Sequence, residues 1–236
     1  MVRGVSIFYL FVFLSLGACA KDDPQNYQAS IRSNNQAPSS QGKVDKTQAK
    51  VVNWEGFNAK YYCEEFSIKP PNLRNWRENA LAELSPSKFP KLFEHQIKKG
   101  APTDLLKYCP NYPNLRDDQK KLIIMRILDA MVFFESTCIS TARAKGPYGT
   151  AFGILQLHYG REDDYARQCR KYDSKSPKRS INCALDMLHD QIENTQRIFS
   201  SGSYWDVLRP RGQAKKAYKI ASHIWYYPLC QIPKKP

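Results

Sequence analysis

Glu135 is the residue whose placement points most directly to chemistry. It stands eleven residues after Ile124, and at 100° per residue it falls on the same helical face as Ile124, Ile127, Leu128 and Met131. A carboxyl group in line with an apolar stripe is drawn towards burial, and burial disfavours its charged form and raises its pKa. A carboxylic acid still protonated near neutral pH can give its proton to a leaving oxygen, as cleavage of a glycosidic bond requires. Two plainer arrangements fit the same spacing: a helix end turned to water, or a buried Glu paired with one of the many Arg residues. The densest acidic run, Glu162-Asp163-Asp164, offers a base or a site for a cationic amine. Its plainer reading is a solvated loop that balances Arg161, Arg167 and Arg170. His95, His158, His189 and His223 are scattered, and there is neither a C-x2-C pair nor an H-E-x-x-H, so no metal or other cofactor is expected.

Glu135 needs a helix to carry it, and residues 117–135 read as the strongest helix of the chain, opening with Asp117 and Asp118 in its first turn. Further helices are expected over 72–84, 87–99, 182–199 and 213–225. Gly100 and Pro102 stop the second of these and Pro228 the last. Between the helix of residues 117–135 and that of residues 182–199, Gly146, Gly149 and Gly153 place three of the eleven glycines within eight residues, and Phe152 to Leu157 reads as a short strand. The expected fold is therefore mainly α, a helical domain with a small β-hairpin beside Glu135.

The segment around Glu135 resembles the goose-type lysozymes and the lytic transglycosylases that share their fold. In that family a helix ends in Glu-Ser, and a Gly-rich turn leads to a strand reading Gly-Leu-Met-Gln. Here Glu135-Ser136 is followed by Gly146-Pro147-Tyr148-Gly149-Thr150-Ala151-Phe152-Gly153-Ile154-Leu155-Gln156. The run Ile181 to Leu188 is similar to the family's Asn-Ile-x-x-Gly-x-x-Tyr-Leu helix. The resemblance covers residues 117–199. It implies a lysozyme-like α+β fold with Glu135 as general acid on the β-1,4 bond between N-acetylmuramic acid and N-acetylglucosamine. It also implies that Ser136 orients the acid, and that Tyr148, Phe152, Gly153, Ile154, Leu155, Gln156 and His158 line the substrate cleft.

The departures bear on the reaction. Goose-type enzymes carry one Asp just after the first Gly of the turn and another just past the Gln-containing strand, and these positions are Pro147 and His158 here. The family's late Ala-Tyr-Asn is also missing. Inverting hydrolysis needs a group that activates water, whereas a lytic transglycosylase uses the sugar's own 6-hydroxyl. The substitutions therefore lean towards 1,6-anhydro products, unless Glu162, Asp163 or Asp164 supplies the base. If those acids border the cleft, they would also favour a deacetylated glycan with free amines. A catalytically inert peptidoglycan-binding module of the same fold is the alternative.

The chain ends give the context. Ile7 to Leu16 is an apolar run too short to span a membrane and suited to a signal peptide. Leu16-Gly17-Ala18-Cys19 resembles a lipobox that would leave Cys19 lipidated, and Ala18-Cys19-Ala20 is equally a site for ordinary cleavage before Lys21. The expected organisation is an export signal over 1–20, a polar tether over 21–50 and a catalytic domain over 51–236. The product would sit at the periplasmic face of the outer membrane as a lipoprotein, or be soluble in the periplasm or secreted. Without Cys19, six cysteines remain: Cys63, Cys109, Cys138, Cys169, Cys183 and Cys230. An even number in an exported chain suggests disulfides, with 15 possible pairings. Of the net charge of +14, the signal carries +1 and the tether +2, leaving +11 on residues 51–236. Such a charge implies an anionic partner. Export, the cysteine count and the lack of a nucleic-acid motif exclude nucleic acid in favour of peptidoglycan strands. A membrane would be met only through a lipid anchor, and a monomer is expected.

Overall fold

The computed structural model describes residues 61–67, 74–94, 104–146 and 148–231. The export signal with Cys19, the tether and Pro147 lie outside the described residues. Among the described residues there are five α-helices, in chain order α1 (Trp76–Glu83), α2 (Leu105–Tyr108), α3 (Asp117–Ser136), α4 (Pro177–Thr195) and α5 (Ala217–Trp225). Between α3 and α4 lies a three-stranded antiparallel sheet of β1 (Arg143–Gly146), β2 (Gly149–Phe152) and β3 (Leu157–His158). This is the mainly α architecture with a small hairpin that the sequence pattern implies.

Helix α3 is the centre of the fold. Asp117 and Asp118 occupy its positive N-terminal end, and the Gln119 side chain accepts a hydrogen bond from the Arg116 amide at 3.0 Å, satisfying one of the donors at the helix entrance. Every residue from Leu122 to Val132 is buried. The stripe of Ile124, Ile127, Leu128 and Met131 is thus one side of a helix enclosed all round, as expected of a core helix. Helices α1 and α5 pack against it, and α4 packs against α1. The helix stops where Thr137 and Cys138 turn into the left-handed region, at φ 52° and 64°.

Three disulfides join Cys63 to Cys138, Cys109 to Cys230 and Cys169 to Cys183. The first fastens the segment ahead of α1 to the end of α3, three residues past Glu135. Its Cys63 amide also donates to Asp129 Oδ1 of α3 at 2.7 Å. The second closes a separation of 121 residues, so it restricts the unfolded chain most. The disulfides fit an exported chain. Among the described residues no helix is long and apolar enough to cross a membrane.

Several expected elements differ. The helix expected over 87–99 is, within its described part, a turn followed by a short 3-10 segment, Pro90–Leu92. Pro90 lacks an amide donor and cannot sit inside a continuing helix. The helix expected from Asn182 begins at Pro177 instead. Ser176 caps it by accepting from the Arg179 amide, and it ends at Thr195 rather than Phe199 because Gln196 turns left-handed at φ 58°. The helix expected from Gln213 begins at Ala217. The strand expected over 152–157 is broken by a turn at Gly153–Gln156 between β2 and β3. Gly153 has φ +78°, and a Cβ there would lie 2.2 Å from the Ser174 carbonyl oxygen. The close approach that requires this glycine is made by Ser174, not by a sugar.

Candidate active site

Glu135 is the penultimate residue of α3, where the buried helix reaches open space. It lines a cleft of about 810 Å³. One wall carries Ala144, Tyr148 and Ala151 of the hairpin. A second carries Gln156, His158, Arg161 and Tyr165, and the segment Gly202 to Asp206 with Arg209 makes the third. The carboxyl reaches the cleft yet is surrounded closely enough to be poorly hydrated. Burial, helped by the negative charge of Asp206, raises its pKa from 4.5 to about 7. The group is therefore a proton donor at neutral pH.

The aromatic wall is held by hydrogen bonds. His158 Nδ1 shares one with the Tyr165 hydroxyl. The His158 amide donates to the Tyr204 hydroxyl at 2.9 Å, and that hydroxyl donates to the Gln156 carbonyl at 3.2 Å. Trp205 Nε1 donates to the Leu155 carbonyl at 2.9 Å. The rings of His158, Tyr165 and Tyr204 stand 4.8–5.4 Å apart, and Tyr148 lies 72% exposed at the rim. Burial and the adjacent Arg161 lower the His158 pKa, so its imidazole is neutral at pH 7. Flat rings interleaved with polar tips suit a ligand that has apolar C–H faces and hydroxyl edges.

The expected site residues separate into two groups. Glu135, Tyr148, Gln156 and His158 line the cleft together. Ser136 does not: it is buried, and its hydroxyl donates to the Val132 carbonyl at 3.0 Å, an intrahelical bond. Phe152 is buried, its ring 5.6 Å from that of Tyr159 and 4.8 Å from the Arg143 guanidinium. Gly153 packs against Ser174, and Ile154 and Leu155 are core residues. The Leu155 and Gln156 carbonyls, which an exposed strand edge would offer to a sugar, are taken by Trp205 and Tyr204. The Gln156 amide nitrogen donates to the carbonyls of Ala142 at 3.2 Å and Gly153 at 2.8 Å.

The acidic run is not in the cleft. Glu162 is fully buried, and its carboxylate accepts from the Ser174 amide at 3.2 Å, the Ser174 hydroxyl at 2.5 Å and the Tyr172 amide at 2.9 Å. Asp163 and Asp164 are exposed, and Asp164 pairs with Arg161 at 2.9 Å. Glu162 therefore holds the loop that precedes α4, and none of the three acids is placed as base or amine-binding group. Asp206, Tyr165, Tyr204 and Arg209 also line the cleft, although they lie outside the Glu-Ser and Gly-rich motifs. For Tyr204 and Asp206 the one hint is the aromatic-aromatic-acid run Tyr204-Trp205-Asp206 just after Gly202.

Away from the cleft, Asp186, His189 and Asp190 on α4 bring ligand atoms within 4.8 Å of one another. Both oxygens of Asp186 already accept from Gln168, and His189 Nδ1 faces Asp190 at 3.6 Å.

The sequence matches no protein-family profile and no curated protein. Two solved structures are similar in fold, both of Bd0314 DslA, one wild type and one a glutamate-to-glutamine mutant. Each has a TM-score of 0.57 and 22% identity, and the match covers 69% of this chain and 94% of the DslA chain. At that identity the likeness is one of fold.

Proposed function

We propose that this chain is an exported muramidase of the goose-type lysozyme and lytic transglycosylase kind. It cleaves the β-1,4 bond between N-acetylmuramic acid and N-acetylglucosamine in peptidoglycan. The observation that carries the reading is the Glu135 carboxyl, kept protonated to about pH 7 where α3 opens into an aromatic cleft. The motif resemblance over residues 117–199 and the fold shared with DslA support it. In this reading Glu135 protonates the glycosidic oxygen as the bond breaks. Tyr148, His158, Tyr165 and Tyr204 seat the sugar rings, and the net positive charge of residues 51–236 holds the anionic wall. Export places the enzyme where its substrate is, with or without a lipid on Cys19. The acids that would favour a deacetylated glycan serve the loop's own structure, so the proposal assigns no preference for free amines.

The test is a zymogram on purified cell walls. Glu135→Gln keeps the side-chain shape but cannot donate the proton. Lysis should fall by roughly 10²–10⁴-fold, the usual contribution of a general acid. A folded mutant that lyses walls at the wild-type rate would remove Glu135 from this role. Wall binding without lysis by the wild-type protein would favour the inert module instead.

A further inference from the structure

The resemblance leaves the chain without a second carboxylate, because Pro147 and His158 stand where the family's acids would be. The structure brings another one to the cleft. Asp206 opens a short 3-10 turn, Asp206–Leu208, which packs against α3 through its buried Val207 and Leu208. Asp206 and Glu135 both line the same cleft. The Asp206 side chain is firmly held: Oδ2 accepts from the Ala214 amide at 2.5 Å, and Oδ1 has the Arg209 guanidinium at 3.7 Å, beyond hydrogen-bond distance. Arg209 is itself anchored, its Nε donating to the Ser203 carbonyl at 2.7 Å. The return of the chain over Asp206 depends on Gly212, where a Cβ would lie 2.5 Å from the Asp206 carbonyl oxygen and 2.7 Å from Oδ1. One carboxylate oxygen is thus spent on the loop, while among the described residues the other accepts no hydrogen bond.

We propose that Asp206 is the catalytic base of this cleft, so that the enzyme hydrolyses its substrate instead of forming 1,6-anhydro ends. The inference rests on Glu135 being the general acid. A water oxygen attacks the anomeric carbon and passes one proton to Asp206 Oδ1. The bond from that carbon to the bridging oxygen breaks with its electron pair going to the oxygen, which takes the proton of Glu135. The hydroxyl stays on the muramic acid, and both carboxyl groups are reset by proton exchange with solvent. Two carboxyl groups, one protonated and one charged, are what hydrolysis by a glycosidase uses. Asp206 also supports its partner, since its charge favours the protonated form of Glu135. Other polar groups that line the cleft with the pair are Tyr148 from the hairpin turn, His158 from β3, Arg161 and Tyr165 from the following loop, and Tyr204 and Arg209 beside Asp206.

The experiment uses the full exported protein with its disulfides intact, on acetylated peptidoglycan in ¹⁸O-labelled water, with products read by mass spectrometry. Wild type should release reducing-end muropeptides that carry one ¹⁸O. This arm needs no mutant to fold. Asp206→Asn can still accept from the Ala214 amide. It should keep its melting temperature and KM while kcat falls roughly 10²-fold or more. The alkaline limb of its residual pH profile should move to lower pH as Glu135 loses the neighbouring charge. Added azide should restore part of the rate of Asp206→Asn and none of that of Glu135→Gln. Anhydro products without label from the wild type, or an unchanged kcat in folded Asp206→Asn, would overturn the role of Asp206 and leave the muramidase reading standing. Absence of any lysis by the wild type would overturn both.

Discussion

A carboxyl group whose pKa is 4.5 in the unfolded chain and about 7 in the fold makes stability depend on pH. The folded state holds the proton more tightly, so nothing is lost below about pH 4.5. A cost grows as pH rises through that range and is complete above about 7. A pKa moved from 4.5 to about 7 corresponds to a cost on the order of 3 kcal/mol at pH 8. Glu135→Gln removes it, and should therefore melt higher than wild type at pH 8 and within about a degree of it at pH 4. A pH-independent difference would mean that Glu135 is not held in its protonated form. The same titration predicts that lysis by wild type declines as pH rises through about 7. Glu135 was legible in the sequence because it continues a helical stripe whose period can be counted. Asp206 was not, because a three-residue 3-10 turn has no period, and what brings it to Glu135 is packing across seventy residues of chain. Glu162 looked like the more promising acid by its distance from the strand. Its three hydrogen bonds from Ser174 and Tyr172 depend on a loop path that composition does not specify.

At the scale of elements, the cleft depends on the end of α3 and on the turn between β2 and β3. The long helices were readable because an amphipathic or enclosed stretch of 19 or 20 residues overrides local detail. The turn was not, because Phe152 to Leu157 has the residue types of a strand while Gly153 and Gln156 adopt positive φ. Gly153→Ala tests that turn. A Cβ would press on the Ser174 carbonyl and force an L residue to φ +78°, so the variant should lose about 2 kcal/mol or more in denaturant unfolding. A loss below about 0.5 kcal/mol would show that the turn relaxes freely. The end of α3 is tested by the double variant Cys63→Ser/Cys138→Ser. Removing the bridge should cost on the order of 2–5 kcal/mol. It should also lower lysis at temperatures well below the melting point, because the bridge lies only three residues beyond Glu135. Full activity in the folded double variant would make this disulfide a matter of stability alone.

For the whole molecule, the proposed function gives the net charge the task of bringing the cleft to an anionic wall. Residues 51–236 carry +11, yet the described ion pairs are few, and several, such as Arg116–Asp118 and Arg161–Asp164, are largely exposed. Most of the excess charge is therefore solvated rather than locked into the fold, and exposed pairs of this kind add little to stability. Such a charge acts at a distance, and its reach is set by salt: about 30 Å at 0.01 M and less than 10 Å at 0.15 M. If the positive surface holds an anionic wall, sedimentation with purified walls should weaken several-fold between these two salt concentrations. Glu135→Gln should follow the same curve, since the proton it cannot donate plays no part in long-range attraction. Lysis by wild type should fall with binding at low substrate and converge at saturating substrate, because salt acts on encounter and not on the shielded proton transfer in the cleft. Binding that is indifferent to salt would instead assign recognition to the aromatic wall of Tyr148, His158, Tyr165 and Tyr204, and leave the net charge without a role in holding the substrate.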